Sequence, residues 1–449
     1  MNWKQLLSTR RDQDREPSPH SGDRSAFEQD YDRIIFSYPF RRLQDKTQVF
    51  PLPEDDFVHT RLTHSLEVSS VGRSLGKRVG QEILQRNKEL TGLGFTSSDF
   101  GSIVSAASLA HDLGNPPFGH SGEDAISDFF QHHEKGRFFQ SLMTEKEWAD
   151  VTNFEGNAQG FRILNKKRHG LKLTYATLGA FSKYPRESKI SKVDKSRRSQ
   201  KKYGFFQKER IEFSNVAQEL GLVQCGGSND MAWARHPLAF LVEAADDICY
   251  HIIDLEDGCT LGLVSMEETV SLLAAIIGSQ FDKAKFDQLP TVYEKIGMLR
   301  ALAIGKLAGQ CAELFLDNES DILEGKYDVS LADDIPAANT MSAIIKLSVE
   351  KIYRNKVVLE TEAAGFEVIA GLLSTYTHAA YNNRFQTDSL SKKQKAVLRV
   401  LPKELQGAID SSQSVYELIM NCIDHVASMT DSYALRNFQK IRGISLPTY

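Results

Sequence analysis

The amino-acid sequence predicts an all-α fold, because its apolar residues follow a helical period and strand-like runs are scarce. Through RLTHSLEVSSVGRSLGKRVGQEI the apolar residues recur about every four positions, as on one face of a helix, at Leu62, Leu66, Val71, Leu75 and Val79. The run at Ile34, Ile35 and Phe36 is short and its period is mixed. Little or no sheet is therefore expected.

Glycine and proline residues mark where two of the other predicted helices end. These further helices are residues 102–113, 237–257, 340–376 and 414–430. Gly114, Pro116 and Pro117 terminate the first of them. Gly258 can cap the second, which is strongly apolar. The sequence therefore contains stop signals after the two helices that include His111 and Asp246.

Composition narrows the class of protein. With 449 residues, the chain has room for two or three domains or for one large body. An apolar fraction of 41% is normal for a globular protein with a sizeable core. The net charge of −5 gives the whole molecule no general attraction for nucleic acid or membranes. An anionic ligand must therefore meet a local basic patch.

Cysteine usage and the N-terminus indicate the compartment. The five cysteines are scattered, odd in number and without a CxxC pair, at Cys225, Cys249, Cys259, Cys311 and Cys422. This pattern argues for a reducing compartment and against a disulfide framework or a thiolate zinc site. The N-terminus has no apolar targeting segment, and no apolar run approaches the roughly eighteen residues that span a bilayer. The cytoplasm is the expected location, with no membrane partner.

The dipeptide His111-Asp112 is the strongest functional signal. An adjacent histidine and aspartate can ligate one metal ion, and His64 upstream and Asp246 downstream are further candidate ligands. Two imidazoles and two carboxylates suit a divalent metal that activates water. Mg²⁺, Mn²⁺, Fe²⁺, Co²⁺ and Ni²⁺ all tolerate this donor set, and affinity alone does not select among them. We expect Mg²⁺ or Mn²⁺.

The helix through Asp246 carries a polar stripe. Asp246, Tyr250 and Asp254 follow one another at intervals of four residues, with Glu243 one turn earlier, so they share one helix face. The stripe is either the solvated face of an amphipathic helix or the wall of a site. Buried carboxylates need a metal or hydrogen-bond partners, so the His-Asp pair elsewhere in the chain favours a site.

The segment GNPPFGHSGED, directly after the His-Asp pair, holds a second polar pair. His120 and Glu123 are three residues apart at the start of a predicted helix, so they can face the same way. Such a pair beside a metal can act as a general acid or base. The alternative is a surface histidine and a capping acid.

The stretch from Lys183 to Arg210 contains eleven Lys or Arg and three acidic residues. Three interpretations are open for this basic stretch. It is a solvated loop, a clamp for phosphates with Lys183 and Lys202 at its ends, or a single-stranded nucleic-acid contact that uses Tyr203, Phe205 and Phe206 for stacking.

The segments RRLQDKTQVF, HDLGNPPFGHSGE, NFEGNAQGFRIL and ADDICYHIIDLEDG follow one another in this order within residues 30–260. Over most of that range the chain resembles the HD-domain phosphohydrolases and, within them, the deoxyguanosine triphosphate triphosphohydrolase (dGTPase) family. The C-terminal region carries less, mainly IYRNKVVLETEAAGFEVIAGLL.

The domain organisation follows from both sources. Residues 8–26 are polar, which predicts an N-terminal arm at 1–29. The resemblance implies a metal-dependent phosphohydrolase core at 30–260, and C-terminal helices at 261–449 that complete the nucleotide pocket and the oligomer contacts.

The resemblance also implies roles for individual residues. The metal ligands are His64, His111, Asp112 and Asp246. The catalytic group beside the phosphates is His120, Glu123 and Glu155. The substrate contacts are Arg61 at the α-phosphate, Lys183 and Lys202 at the phosphates, Gln44 and Asp254 at the sugar 3′-hydroxyl, Tyr250 at the deoxyribose, and Tyr353 in the pocket.

The activity that the resemblance implies is hydrolysis of dGTP, or of other dNTPs, to deoxynucleoside and tripolyphosphate. It further implies a nucleotide effector and a homo-oligomer, often a hexamer. The competing hypotheses are another HD phosphohydrolase, such as a nucleotidase or a cyclic-dinucleotide phosphodiesterase, and a nucleic-acid-binding regulator with a secondary HD site.

Overall fold

A computed structural model describes residues 1–12, 23–49, 59–166, 169–227 and 229–444. It confirms the all-α prediction, since β-structure in these ranges is limited to isolated bridges such as Thr47–Thr60. The helices of the first half are α1 Trp3–Leu6, α2 Ala26–Ile35, α3 Tyr38–Arg41, α4 Arg61–Arg86, α5 Lys88–Gly92, α6 Ser97–Ala110, α7 Gly119–His132, α8 Glu134–Arg137, α9 Glu145–Thr152, α10 Gly156–Asn165, α11 Tyr175–Phe181, α12 Arg210–Glu219 and α13 Pro237–Thr260.

Helices continue through the second half of the chain. They are α14 Met266–Ile277, α15 Lys283–Asp287, α16 Val292–Asp317, α17 Glu319–Leu323, α18 Leu331–Asp334, α19 Ala338–Ser348, α20 Lys356–Phe385, α21 Lys392–Val400, α22 Lys403–Ser411, α23 Val415–Ala427 and α24 Asp431–Arg442. A single π-helical turn, Val349–Tyr353, follows α19. The predicted helix at 340–376 is therefore interrupted at this turn. No helix in the described ranges is both long enough and apolar enough to cross a membrane.

Close packing of α4 on α6 forms the centre of the first hydrophobic core. Gly72, Gly76 and Gly80 lie one turn apart on α4 and face α6. A Cβ at Gly76 would lie 2.6 Å from the carbonyl oxygen of Phe100, so only glycine permits this distance between the helices. The predicted apolar face of α4 is only partly right, because Leu66 is exposed.

A second hydrophobic core joins α7 and α9 to α20 and the helices that follow it. Phe129 and Phe130 of α7 pack in the same cluster as Leu372 and Ile419. The first core likewise joins α4, α6 and α13 to α16 and α19. Helices on both sides of residue 260 therefore share each core, so the predicted boundary there does not separate two packing units.

The N-terminus differs from the predicted polar arm at residues 1–29. Trp3, Leu6 and Leu7 are buried in the first core, and the Met1 ammonium donates to the carbonyl oxygen of Leu323 at 2.7 Å. The apolar residues of this short amphipathic turn bury their surface against the C-terminal half. The prediction of an arm is wrong for residues 1–12, while residues 13–22 lie outside the described part.

The basic stretch packs against the body on both sides of residues 191–196, which are exposed, so its interpretation as a solvated loop holds for those six residues and is wrong for the buried parts. Tyr203, Phe205 and Phe206 are at most 2% exposed. The Arg186 guanidinium is buried and donates to the carbonyl oxygens of Gln200, Glu187 and Ser188. The three rings lie in the cores and cannot stack on nucleic-acid bases in this conformation, so the stacking hypothesis loses its basis.

The turn that carries the His-Asp pair packs directly on α10. A Cβ at Gly114 would lie 1.9 Å from the carbonyl oxygen of Gly156 and 2.2 Å from the amide nitrogen of Gly160. Backbone therefore meets backbone here, and neither side has a flexible group that can move away. This contact fixes the position of the turn relative to α10.

We expect Gly114→Ala to destabilise the fold by about 1–3 kcal/mol or more, because the methyl group overpacks a rigid contact. Urea unfolding followed by circular dichroism measures the change. Gly305→Ala is the matched control, since Gly305 lies within α16 and a methyl group added there would have no neighbour within 4 Å. The control should be neutral or up to about 1 kcal/mol more stable. Equal effects of the two substitutions would contradict the packing argument.

Candidate metal centre and substrate cavity

Three helices bring two imidazoles and a carboxylate to one point. His64 lies on α4, His111 caps the end of α6, and Asp246 lies on α13. The Nε2 atoms of His64 and His111 lie 3.2 Å and 3.4 Å from the same oxygen, Oδ1 of Asp246. One ligand atom from each residue falls within 4.8 Å of the others. This is the geometry of a divalent metal site with nitrogen and oxygen ligands.

A hydrogen bond to the backbone of Ser108 sets the orientation of the His111 ring. Its Nδ1 lies 2.7 Å from the carbonyl oxygen of Ser108, which can only accept, so Nδ1 carries a proton and Nε2 is the nitrogen that can bind a metal. Burial opposes a charge on Asp246, but His111, His64 and Lys183 outweigh it and hold the pKa of Asp246 well below its ordinary value. The site therefore supplies an anionic carboxylate and correctly oriented imidazole nitrogens.

Asp112, the fourth predicted ligand, lies beside the cluster but has other partners. Its Oδ1 is 3.5 Å from His111 Nε2 and accepts a hydrogen bond from Asn115 Nδ2 at 2.6 Å. Its Oδ2 accepts from Arg61 Nη1 at 2.7 Å. Burial opposes its charge, but Arg61 and the histidines lower the pKa of Asp112 to about 2. An anionic Asp112 is within reach of the cluster, and its role as a ligand stays a prediction.

The second polar pair forms as predicted from its spacing. His120 Nδ1 lies 3.0 Å from Glu123 Oε2, and the His120 side chain is 73% exposed toward the cavity mouth. The hydrogen bond to Glu123 raises the pKa of His120. Glu123 in turn accepts from the amide of Gly156 at 2.7 Å. His120 is therefore held by a buried carboxylate and keeps its proton above the ordinary histidine pKa.

Lys202 connects Glu155 to the pair of His120 and Glu123. Lys202 Nζ lies 2.8 Å from Glu155 Oε1 and 3.7 Å from Glu123 Oε2. Burial and the charge of Glu123 raise the pKa of Glu155 to about 7, although Lys202 opposes them. The structure thus brings together all three predicted catalytic residues and one predicted phosphate-binding lysine.

Backbone strain lies directly before His120. Phe118 has a positive φ of 64° at the N-cap of α7, a conformation that is rare for a large side chain. Its amide donates to Asp431 Oδ1 at 3.0 Å, and Asp431 also accepts from the amide of Thr47 at 3.0 Å. A carboxylate at the start of α24 therefore holds the turn that presents His120.

A cavity of about 400 Å³ surrounds the cluster. Five cationic side chains line it, namely Arg61, Lys183, Arg198, Lys201 and Lys202. Burial lowers the pKa of Lys183, but Tyr184 and the carboxylates of Glu243, Asp247 and Asp246 outweigh it and leave that pKa raised. Lys183 therefore stays charged. Five carboxylates line the same cavity, namely Asp112, Glu123, Glu243, Asp246 and Asp247. The cavity therefore combines a candidate metal site with five cations held among carboxylates, which the net charge of the chain does not reveal.

A smaller cavity of about 220 Å³ adjoins the first and shares Gln48, Arg61, His120 and Tyr250 with it. Its other wall comes from the C-terminal half, including Tyr353, Val358, Thr361 and Glu362. The Tyr250 and Tyr353 rings are 6.1 Å apart. Two aromatic rings and few charges make this end suitable for a sugar and a base.

Two predicted sugar contacts are placed differently from expectation. Gln44 is exposed on the 3₁₀ turn Arg42–Asp45 and does not line either cavity. Gln48 lines both, and its buried Oε1 has no hydrogen-bond partner among the described residues. Asp254 is 3% exposed and accepts from Tyr353 Oη at 2.6 Å. Burial raises the pKa of Asp254 to about 8. Tyr353 lines the smaller cavity and Asp254 does not, so Asp254 contacts that cavity through Tyr353.

The sequence interpretation missed several residues of the cavity. They include Gln48, Asn115, Arg198, Lys201, His251 and Glu362. For Gln48 a signal existed, because QDKTQ holds two glutamines four residues apart and only one was considered. Arg198 and Lys201 stood inside the basic stretch without any spacing to distinguish them.

Comparison with known proteins agrees with this site. Residues 61–153 match the family profile of the HD domain, and residues 335–440 match that of the phosphohydrolase-associated domain. The fold and the site thus define a protein of the HD-domain phosphohydrolase class, whose members depend on a metal.

Similarity over the full length identifies the family more closely. A deoxyguanosinetriphosphate triphosphohydrolase-like protein of Synechocystis sp. is 44% identical over 99% of this chain and 100% of its own length. A protein of the same name from Pseudomonas aeruginosa is 39% identical over the whole of both chains. The deoxyguanosinetriphosphate triphosphohydrolase of Salmonella enteritidis is 31% identical over 93% of this chain and 94% of its own. The chain belongs to the deoxyguanosinetriphosphate triphosphohydrolase-like family.

We predict that His111→Ala abolishes tight binding of a divalent metal, because it removes a ligand whose tautomer the fold has already set. Dialysis against Mn²⁺ followed by elemental analysis measures the bound metal, and circular dichroism checks the helices. His251→Ala is the control, since His251 lines the same cavity but is not part of the ligand cluster. It should keep its metal. Full occupancy in His111→Ala would refute the proposed centre.

Proposed function

We propose that this protein hydrolyses deoxynucleoside triphosphates, preferring dGTP, to deoxynucleoside and tripolyphosphate. One observation carries the proposal. The candidate ligand cluster lies in a cationic cavity that fits a polyphosphate, an aromatic cavity that fits a nucleoside adjoins it, and His120 lines both. A triphosphate tail in the first cavity and a sugar in the second would place the ester bond between them beside the cluster and His120.

The cationic cavity accounts for the polyphosphate. A nucleoside triphosphate carries about four negative charges, and preorganised cations stabilise both the ground state and the charge that develops on cleavage. Arg61 lines both cavities, so it belongs at the α-phosphate, whereas Lys183 and Arg198 lie only in the larger one. The tail would therefore extend from Arg61 toward Lys183.

The proposed reaction breaks the bond between the 5′-oxygen and the α-phosphorus. A bound divalent ion, held by His64, His111 and Asp246 with Asp112 nearby, would supply Lewis acidity and lower the pKa of a water. His120 donates its proton to the 5′-oxygen as that oxygen leaves. Glu123 holds the imidazole and raises its pKa, so the proton is available near neutral pH. Water adds to the phosphorus, and tripolyphosphate departs intact.

The aromatic cavity accounts for the sugar. Tyr250 lies one helical turn from Asp246, about 6 Å along α13, which is a suitable distance from the α-phosphate to the deoxyribose. Its ring can close over C2′ and exclude a 2′-hydroxyl. Gln48 and the Tyr353–Asp254 pair offer hydrogen-bonding groups for the 3′-hydroxyl, with Gln48 in the place predicted for Gln44.

The far wall of the aromatic cavity supports the preference for guanine. Glu362 of α20 lines this wall. A carboxylate accepts two hydrogen bonds, and guanine presents two neighbouring donors, N1–H and the 2-amino group. The other common bases lack this pair of donors. Glu362 is therefore the group in this cavity that best distinguishes dGTP.

The proposal is tested by incubating the metal-loaded protein with each dNTP and with GTP, followed by chromatographic separation of the products. We expect deoxyguanosine and tripolyphosphate from dGTP, and a preference over GTP of about 10²-fold because exclusion of one hydroxyl is worth this much. Release of orthophosphate or pyrophosphate would instead show a nucleotidase or another HD phosphohydrolase. If no nucleotide is turned over, the proposal is refuted.

We predict that His120→Ala lowers kcat by about 10²–10⁴-fold, as expected for loss of a general acid, while the metal stays bound. Steady-state kinetics with dGTP and elemental analysis of the same sample provide both readouts. His132→Ala, at the exposed end of α7, is the control and should keep its activity. Loss of the metal in His120→Ala would mean that His120 supports the metal centre and is not the acid.

A further inference from the structure

The segment 197–202 brings three cations to the cavity, yet it has little regular structure of its own. Arg198, Lys201 and Lys202 line the cavity. The regular structure of this segment is limited to the short 3₁₀ turn Arg198–Gln200. Isolated turns of this length do not hold long side chains in place. The position of these cations must therefore be set by contacts from elsewhere in the chain.

Asp328, between α17 and α18, provides one set of contacts. Its carboxylate accepts from the amide and the hydroxyl of Ser199 at 3.1 and 2.5 Å. Its carbonyl oxygen accepts from the amide of Arg198 at 2.8 Å. Arg197 Nε lies 3.0 Å from the carboxylate, and Asp328 is only 6% exposed. One buried residue of the second half thus holds three consecutive residues of the segment.

Glu243, on α13 one turn before Asp246, provides the second set. It is 1% exposed, and its Oε1 lies 2.9 Å from Arg198 Nε and 3.4 Å from Lys183 Nζ. Its Oε2 accepts from Arg235 Nη1 at 2.5 Å. Arg235 Nε lies 3.0 Å from Asp328, so the buried guanidinium links the two acids.

The network contacts cations on both sides of the cavity wall. Two carboxylates, Glu243 and Asp328, face four cations, of which Lys183 and Arg198 line the cavity and Arg197 and Arg235 do not. Asp246 and Asp247 line the cavity as well and act on the same front cations. The two front cations are therefore held in fixed positions among carboxylates, where a polyanion in the cavity would meet them.

We infer that Glu243 and Asp328, linked by Arg235, are positioning residues that hold the phosphate-binding cations of this protein over the metal centre. Asp328 does not line the cavity, whereas Glu243 lines it with its carboxylate bound by Lys183, Arg198 and Arg235. Both acids are therefore argued to act through the cations that they hold. This inference rests on the proposed function, because it assigns the cationic cavity to the triphosphate tail. It also makes Asp328 of the second half part of the binding machinery.

Asp328→Asn tests the inference, because it keeps the shape of the side chain and removes its charge. Removal of a negative charge near the cavity would tighten polyanion binding if net charge alone mattered. If positioning matters, binding of inorganic tripolyphosphate should weaken by roughly tenfold, the scale typical for loss of an outer-shell partner. Binding of deoxyguanosine should stay unchanged, because it occupies the other cavity. Isothermal titration of the full chain at fixed free Mg²⁺ measures both.

Asp30→Asn is a closely matched control. Asp30 is fully buried, accepts from the amide and hydroxyl of Thr174 at 2.9 and 2.6 Å, and pairs with Arg11 at 2.5 Å. It therefore repeats the hydrogen-bond pattern of Asp328 outside the cavity. We expect a comparable loss of thermal stability with unchanged tripolyphosphate affinity.

The outcomes are separable. Unchanged or tighter tripolyphosphate binding by Asp328→Asn overturns the inference, as does an equal loss of affinity for tripolyphosphate and deoxyguanosine, which would indicate general loosening. If the unsubstituted protein binds neither probe, the proposed function fails, and the inference fails with it. Should Asp328→Asn not fold, Ser199→Ala removes the same hydroxyl contact without changing any charge, and it should weaken tripolyphosphate binding in the same direction.

Discussion

The candidate site depends on how closely α4 approaches α6. His64 and His111 come from these two helices, and their rings lie 5.3 Å apart only because the helices are in backbone contact. The glycine stripe of α4 permits that contact, since a side chain at Gly76 would meet the backbone of α6. With the imidazoles fixed in this way, a single carboxylate from α13 is enough to complete a chelating cluster.

Compensation of buried charge is the second condition, and it organises the rest of the cavity. A buried carboxylate without a partner is strongly destabilising, so each acid in the cavity wall is accompanied by cations. Asp112 has Arg61, Glu155 has Lys202, and Glu243 is surrounded by three cations. The resulting network stabilises the wall and at the same time holds the cations where a polyphosphate would need them.

The second half of the chain contributes directly to the cavities of the first half. The π-helical turn Val349–Tyr353 presents Tyr353 to Tyr250, and α20 adds Glu362. Asp431 holds the strained turn before His120. These contacts explain why both hydrophobic cores join helices from the two halves. A truncated first half would lack one wall of the nucleoside cavity and the contacts that hold His120.

The all-α fold and the residues at the centre of the site followed from the sequence itself. Helical period, stop signals and motif spacing are local properties, so they predicted α4, α6 and α13 and directed attention to His64, His111 and Asp246. The pairing of His120 with Glu123 is equally local, since three residues on a helix separate them. Eleven of the 32 residues that line the two cavities were predicted site residues, mostly within recognisable motifs.

Tertiary structure alone decided the remaining features, because they depend on contacts between residues far apart in the chain. Gln48 of QDKTQ lines the cavity, whereas Gln44 is exposed. The choice between the two glutamines depends on how this turn packs against α4 and α7. The basic stretch became a folded wall because Asp328 and Glu243 bind it, and neither acid is near it in sequence. Residues 1–12 do not form the predicted arm, because Trp3 and Leu6 are buried in the first core and Met1 binds Leu323 of the second half. The composition of a segment indicates whether it is polar or apolar, whereas its burial depends on the surface that folding brings against it.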